Sequence, residues 1–179
     1  DTLRVNICST SSVANITLPD MITSYQAQKQ KLILRLAQAE TMQQVLDAVQ
    51  SGDKDIGLIS MNEEEFIRKF TPYQDTLQME LLVRDDLVGV INYREYDGIQ
   101  QEIDGEKYDI SLRTIYNVEP IEDWRLEALE QHIICSNDAD FHRAILERKG
   151  ALVIMSGLSH QYFFNQKKYV ALPIKGVDV

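Results

Sequence analysis

Four consecutive hydroxyl side chains, Ser9, Thr10, Ser11 and Ser12, follow the alternating apolar run Leu3, Val5, Ile7. Such alternation reads as a strand, and an amphipathic helical pattern comes after the hydroxyls. A strand ending in hydroxyls at a helix start gathers side-chain O–H and free backbone N–H groups at one point. That is a receptor for a small anion or polar ligand. The same residue types are the usual caps of helices, and capping alone explains them equally simply. Small polar groups also follow other apolar runs: Ser60, Asn117, Ser136-Asn137 and Ser156. In open parallel sheets ligands bind beyond the carboxyl ends of strands. If these ends face one another, they form a pocket of hydroxyls, amides and helix N-termini without a reactive group.

Other chemistry is missing from the sequence. There is no G-x-x-x-x-G-K-[ST] loop, no G-x-G-x-x-G and no G-x-S-x-G elbow. His132, His142 and His160 are scattered. Asp138, Asp140 and His142 are spaced i, i+2, i+4, which does not bring three ligands to one helical face, and no fourth ligand is signalled. The expectation is therefore no catalytic residue, no metal and no cofactor. Cys8 and Cys135 both end apolar runs and are far apart in the chain. They read as small buried hydrophobes in a reducing, cytoplasmic compartment rather than as a disulfide or a redox pair.

The formal net charge of −10 over 179 residues argues against this chain gripping nucleic acid, which requires clustered Lys and Arg. No apolar run approaches the roughly 20 residues of a membrane span, and the first residues carry no signal-peptide pattern.

Hydrophobic periodicity supplies the elements that must position the polar ends. Leu18, Met21, Ile22 and Tyr25 form one helical face; Leu32, Leu34 and Leu36 alternate as a second strand. Thr41 with Gln44 reads as a capping box. Met42, Val45, Leu46 and Val49 line the helix that follows, as core or as interface, and Gly52 ends it. Asp55–Ser60 is a third short strand, so 3–60 reads β-α-β-α-β with a parallel sheet. Beyond it, 80–83 and 87–91 look extended and 94–110 reads as polar surface loops. Arg113–Tyr116 is a strand and 124–131 a helix. Strands at 132–135, 151–155 and 169–174 follow. Phe141, Ala144 and Ile145 mark the helix after Ser136-Asn137-Asp138, and Tyr162-Phe163-Phe164 a short aromatic one. The fold class expected is α/β, in two Rossmann-like lobes with a ligand cleft between them.

This ordered series resembles the effector-binding domain of LysR-type transcriptional regulators, which has the type-2 periplasmic-binding-protein fold. The resemblance rests on Leu3-Arg4-Val5 with its polar turn ahead of Leu18-Pro19, and on the helix 41–52 running into Asp55-Ile56-Gly57-Leu58-Ile59. Ser136-Asn137-Asp138, Gly150–Met155 and Val170-Ala171-Leu172-Pro173-Ile174 continue it. It implies lobe I at 1–85 plus 171–179 and lobe II at 86–170. It also implies a winged helix-turn-helix ahead of Asp1 and a final strand and helix of lobe I past residue 179. Carried over by position, the effector site comprises Ser9, Thr10, Ser11 and Ser12, with Ser60 and Met61 as its floor, and Asn117, Val118, Ser136 and Asn137 across the cleft. The partners implied are a small anionic or carboxylate effector, a second copy of the chain in a homodimer or tetramer, and promoter DNA through the N-terminal domain alone, with no membrane. The alternative on the same fold is a solute-binding protein of a transporter.

Overall fold

Alternating apolar residues in three short segments bring three strands side by side in the first half of the chain. The computed structural model describes residues 2–10, 13–26, 28, 31–116 and 134–176. It divides into two units, Asp1–Leu82 and Val83–Val179.

In the first unit, β1 (Thr2–Thr10), α1 (Val13–Gln26), β2 (Lys31–Ala39), α2 (Met42–Gln50) and β3 (Ile56–Leu58) follow in the expected order. The sheet order is β2-β1-β3, with β1 parallel to both neighbours. Successive residues of a strand point to opposite faces. Val5, Ile7 and Leu58 therefore meet Ala14, Leu18 and Ile22 of α1 on one face. The helical face is Ala14, Leu18 and Ile22, whereas Met21, expected with them, is half exposed.

On the other face lies α2. Thr41 and Gln44 form the capping box: Thr41 Oγ1 accepts from Gln44 N at 3.2 Å, and Gln44 Oε1 accepts from Thr41 N at 3.3 Å. Met42, Val45 and Leu46 are buried inside this unit, so this stripe is core. Met42 and Leu46 join Tyr73 and the flanking Phe66 and Phe70 beneath α3 (Glu63–Phe70). Gly57 lets α2 approach this closely. A Cβ there would lie 2.4 Å from Cγ1 of Val45 and 3.2 Å from Cγ2 of Val49.

The second unit holds β4 (Leu87–Asn92), β5 (Arg113–Tyr116), β6 (Ile134–Ser136), β7 (Leu152–Ser156) and β8 (Tyr169–Leu172), with helices α4 (Ala139–Leu146) and α5 (Gly157–Phe163). The sheet order is β6-β5-β7-β4-β8. The β5 strand is parallel to β6 and β7, while β4 is antiparallel to β7 and β8. One face packs Val90, Val153 and Met155 against Leu146, Phe164 and Tyr169. Ile91, Leu152 and Ile103 form another cluster.

Several expectations change. Residues 171–176 sit in the second unit and not with the first: Ala171 and Leu172 pair with Val90 and Gly89 in β4, and Ile174 bridges Ile103. Residues 80–83 form no strand, and Leu81, Leu82 and Val83 are at least half exposed. The polar segment 94–110 is pinned by the fully buried Ile103, whose N–H and C=O bond Pro173 and Lys175. The α4 face is rotated by one residue from the one expected. His142 and Leu146 are buried, while Ala144 is exposed. The expected helix 124–131 lies outside the described residues.

Two substitutions test this packing by urea unfolding. Gly57→Ala lowers stability by about 1–3 kcal/mol, because the β-branched Val45 cannot move aside without shifting α2. Thr41→Ala costs about 1 kcal/mol through the lost cap.

Candidate functional site

The polar strand ends fall into two groups, one in each unit. In the first, β1 ends in Ser9 and Thr10, which are fully and almost fully buried. Ser9 Oγ donates to the Thr10 carbonyl at 3.1 Å. Thr10 Oγ1 accepts from the backbone N of Ser60 at 3.4 Å, which ties the end of β1 to the segment that leaves β3. Parallel pairing causes this meeting, because it places the carboxyl ends of β1 and β3 on one edge. Ser60 is exposed. Met61 does not join them: it packs against the Met42, Leu46 and Tyr73 cluster. A thioether beside that apolar surface gains more from burial than from facing a polar pocket. The N–H groups of α3 are taken locally, with Asn62 Oδ1 accepting from Glu64 and Glu65.

In the second unit, Tyr116 and Ser136 end the paired strands β5 and β6 side by side. Ser136 Oγ accepts from Asp138 N at 3.1 Å, and Asp138 Oδ1 caps α4 by accepting from Asp140 N at 2.9 Å. Asn137 lies between them, half-buried. Ser156 closes β7 and is taken up in capping α5: its Oγ accepts from Ser159 N at 3.0 Å. The chain ahead of β4 completes that cap, with Asp85 accepting from Leu158 N and the Asp86 carbonyl from Gly157 N. Ser11, Ser12, Asn117 and Val118 lie outside the described residues.

His142, which the sequence offered only as one of three scattered histidines, has a structural place in the second unit. It is fully buried, with Nδ1 3.1 Å from Thr114 Oγ1 and Nε2 2.7 Å from the Ser136 carbonyl. A carbonyl only accepts, so Nε2 carries the proton and Nδ1 accepts from the Thr114 hydroxyl. The ring packs on Tyr116 at 4.8 Å between centroids. His142 thus ties the end of β6 to β5. The signal available in sequence is its place four residues after the Asp138 cap, on the turn of α4 that faces back to the strand. Asp138 is engaged as the cap, and the exposed Asp140 pairs with Arg143 at 2.6 Å. Among the described residues no three His, Cys, Asp or Glu side chains gather as a metal site.

The two cysteines sit in different units. Cys8 is buried, and burial pushes its thiol above the ordinary cysteine range, against a smaller lowering by Lys54. A protonated, enclosed thiol is a poor nucleophile. Cys135 is half-buried beside Ile115 and Ile154.

Burial also holds the His142 imidazole below the ordinary 6.5, outweighing the Ser136 carbonyl and Asp138, which favour the charged form. The sign follows from proton binding. Below about pH 6.5 the unfolded chain takes up a proton that the folded chain resists, so stability falls as the pH drops through that range, by at most about 1.4 kcal/mol per pH unit. Asp97, Asp109 and Glu147 are held low by hydrogen bonds, and their contributions are lost only at more acidic pH. Urea midpoints at pH 7.5 and 5.5 therefore drop in the wild type and drop less in His142→Gln.

No family model matches the chain, and no curated protein matches it. Solved structures do. The reduced form of the regulatory domain of OxyR2 from Vibrio vulnificus superposes with a TM-score of 0.69 at 10% identity, over 98% of this chain and 82% of that one. The effector binding domain of QuiR, in complex with shikimate, gives 0.67 at 13% identity, over 100% of this chain and 84% of that one. HinK, a LysR family transcriptional regulator from Pseudomonas aeruginosa, gives 0.65 at 13% identity, and this chain spans 59% of its length. The fold of the chain is that of the regulatory, effector-binding domains of LysR-family regulators.

Proposed function

We propose that this chain is the small-molecule-sensing domain of a LysR-type DNA-binding transcriptional regulator. The observation that carries the reading is the coincidence of that fold with polar, tightly ordered strand ends at Ser9, Thr10 and Ser60. The solved structures compared are regulator domains, which favours this reading over a solute-binding protein of a transporter and over an enzyme. Among the described residues no helix is long and apolar enough to cross a membrane.

The effector is a small carboxylate or related anion. It binds at the Thr10 and Ser60 strand ends, together with Ser11 and Ser12 and, from the second unit, Asn117, Val118, Ser136 and Asn137. Hydroxyl and amide donors at strand ends suit such a group. QuiR's ligand, shikimate, is of this chemical class. Binding favours one arrangement of the chain over another and so shifts the assembly of a homodimer or tetramer. The signal reaches promoter DNA through a separate DNA-binding domain, in the cytoplasm.

A thermal-unfolding screen of small carboxylates, with shikimate included, tests the reading. At a ligand concentration about 100 times Kd, the stabilisation is about 2.7 kcal/mol. Thr10→Ala and Ser136→Ala each abolish most of that shift. An effector that stabilises both variants as much as the wild type overturns the site assignment.

A further inference from the structure

Among the described residues, the α2 face of the first sheet is covered only over its carboxyl-terminal half. Gly57 meets Val45 of α2 there, and Cys8, its partner in register, is buried. Strand alternation puts Arg4 and Asn6 on the same face of β1 as Cys8. The register puts Ile33 beside Arg4 and Arg35 beside Asn6. These four residues line a shallow pocket of about 110 Å³. One water occupies about 30 Å³ of liquid, so the pocket has room for a group the size of a phosphate or carboxylate.

Arg4 and Arg35 are both exposed. Neither side chain makes an ion pair or hydrogen bond with the described residues, in a chain whose formal net charge is −10. Two other cations of the first unit are paired, Arg68 and Lys69, both with Glu65. The Asp55 carboxylate accepts from the Asn6 backbone N at 2.8 Å in the turn ahead of β3, and among the described residues it forms no ion pair with either guanidinium. Two like charges held at diagonal positions on a rigid pair of strands repel each other, and a shared anion removes that repulsion. Guanidinium is the group best shaped to bind planar or tetrahedral oxyanions through paired N–H donors.

We propose that Arg4, Asn6, Ile33 and Arg35 form a second ligand site, which takes a small doubly charged oxyanion against the two guanidiniums. The Asn6 amide donates to it and Ile33 forms an apolar floor. It lies on the opposite end of β1 from Ser9 and Thr10 and is independent of the effector reading.

The test is a backbone-amide and isoleucine-methyl NMR titration of the chain with inorganic phosphate and, separately, with succinate, against chloride at matched ionic strength. The expected result is saturable shifts confined to Arg4, Asn6, Ile33, Arg35 and their strand neighbours. The probe that saturates identifies the ligand class, phosphate or dicarboxylate. Both arginines are exposed, so the Arg4→Gln, Arg35→Gln double variant keeps a dispersed spectrum, and its apparent affinity falls about tenfold or more. Arg35→Lys, which keeps the charge but loses the fork, lies between the two. Thr10→Ala leaves these shifts unchanged, which separates failure of this site from failure of the effector site. Shifts that chloride reproduces, or that persist in the double variant, overturn the proposal.

Discussion

The parallel pairing of β1 with both β2 and β3 is the constraint on which the first unit depends. A parallel strand cannot be reached by a tight turn, so each crossover must carry a helix back across the sheet. α1 and α2 are those helices, one on each face, and their apolar stripes are buried by the crossover itself. The same constraint leaves the carboxyl ends of β1 and β3 together on one edge. There the chain must turn, and residues that stop a strand and start a helix are small and polar. The contact between Thr10 and Ser60 is thus a product of topology before it is a feature of any ligand site. At the opposite end the chain returns from α2 into β3 through the turn at Gly52, and the residues of β1 and β2 there carry charge in Arg4 and Arg35.

The second unit follows the same logic but closes its polar ends on themselves. Ser136 and Asp138 satisfy the start of α4, and Ser156, Asp85 and Asp86 satisfy the start of α5. What remains at the β5 and β6 ends is less a set of free donors than a rigid frame. His142 holds it, spending both ring nitrogens on its neighbours. An imidazole kept neutral by burial fixes the relation of two strand ends without placing a charge beside them.

Much of this was legible in the sequence because the elements of the first sixty residues are signalled twice, by periodicity and by punctuation. Thr41 with Gln44 and Gly52 bracket α2 independently of its apolar stripe, and Ser9 to Ser12 bracket β1. Faces were less legible than elements. Met21 and Ala144 fit a helical repeat but turn outward, because a 3.6-residue repeat with several apolar residues has more than one acceptable stripe, and contact with the sheet selects among them. The burial of His142 was not legible for the same reason, since a polar residue in a helix is exposed only if its turn faces water. Met61 was carried into the site with Ser60 by position in the family pattern, which says nothing of its packing against Met42, Leu46 and Tyr73. The strand at 169–172 was placed partly in the wrong unit because its partner, β4, lies about eighty residues earlier, and local patterns say nothing about such pairing.

One feature of the second sheet bears on mechanics. β4 alone runs against β7 and β8, so its first residue, Leu87, is opposite Ser156, the last of β7, and the end of β8 at Leu172 lies opposite Gly89. The chain therefore comes into this unit and leaves its last strand at the edge where β5, β6 and β7 terminate. Asp85 and Asp86, on the way in, are fastened to the first turn of α5. A tether attached at the far edge would have to transmit a pull through the whole sheet. Attached here, it acts with almost no lever arm on the strand ends themselves, and a small displacement of those ends is handed directly to the connecting chain.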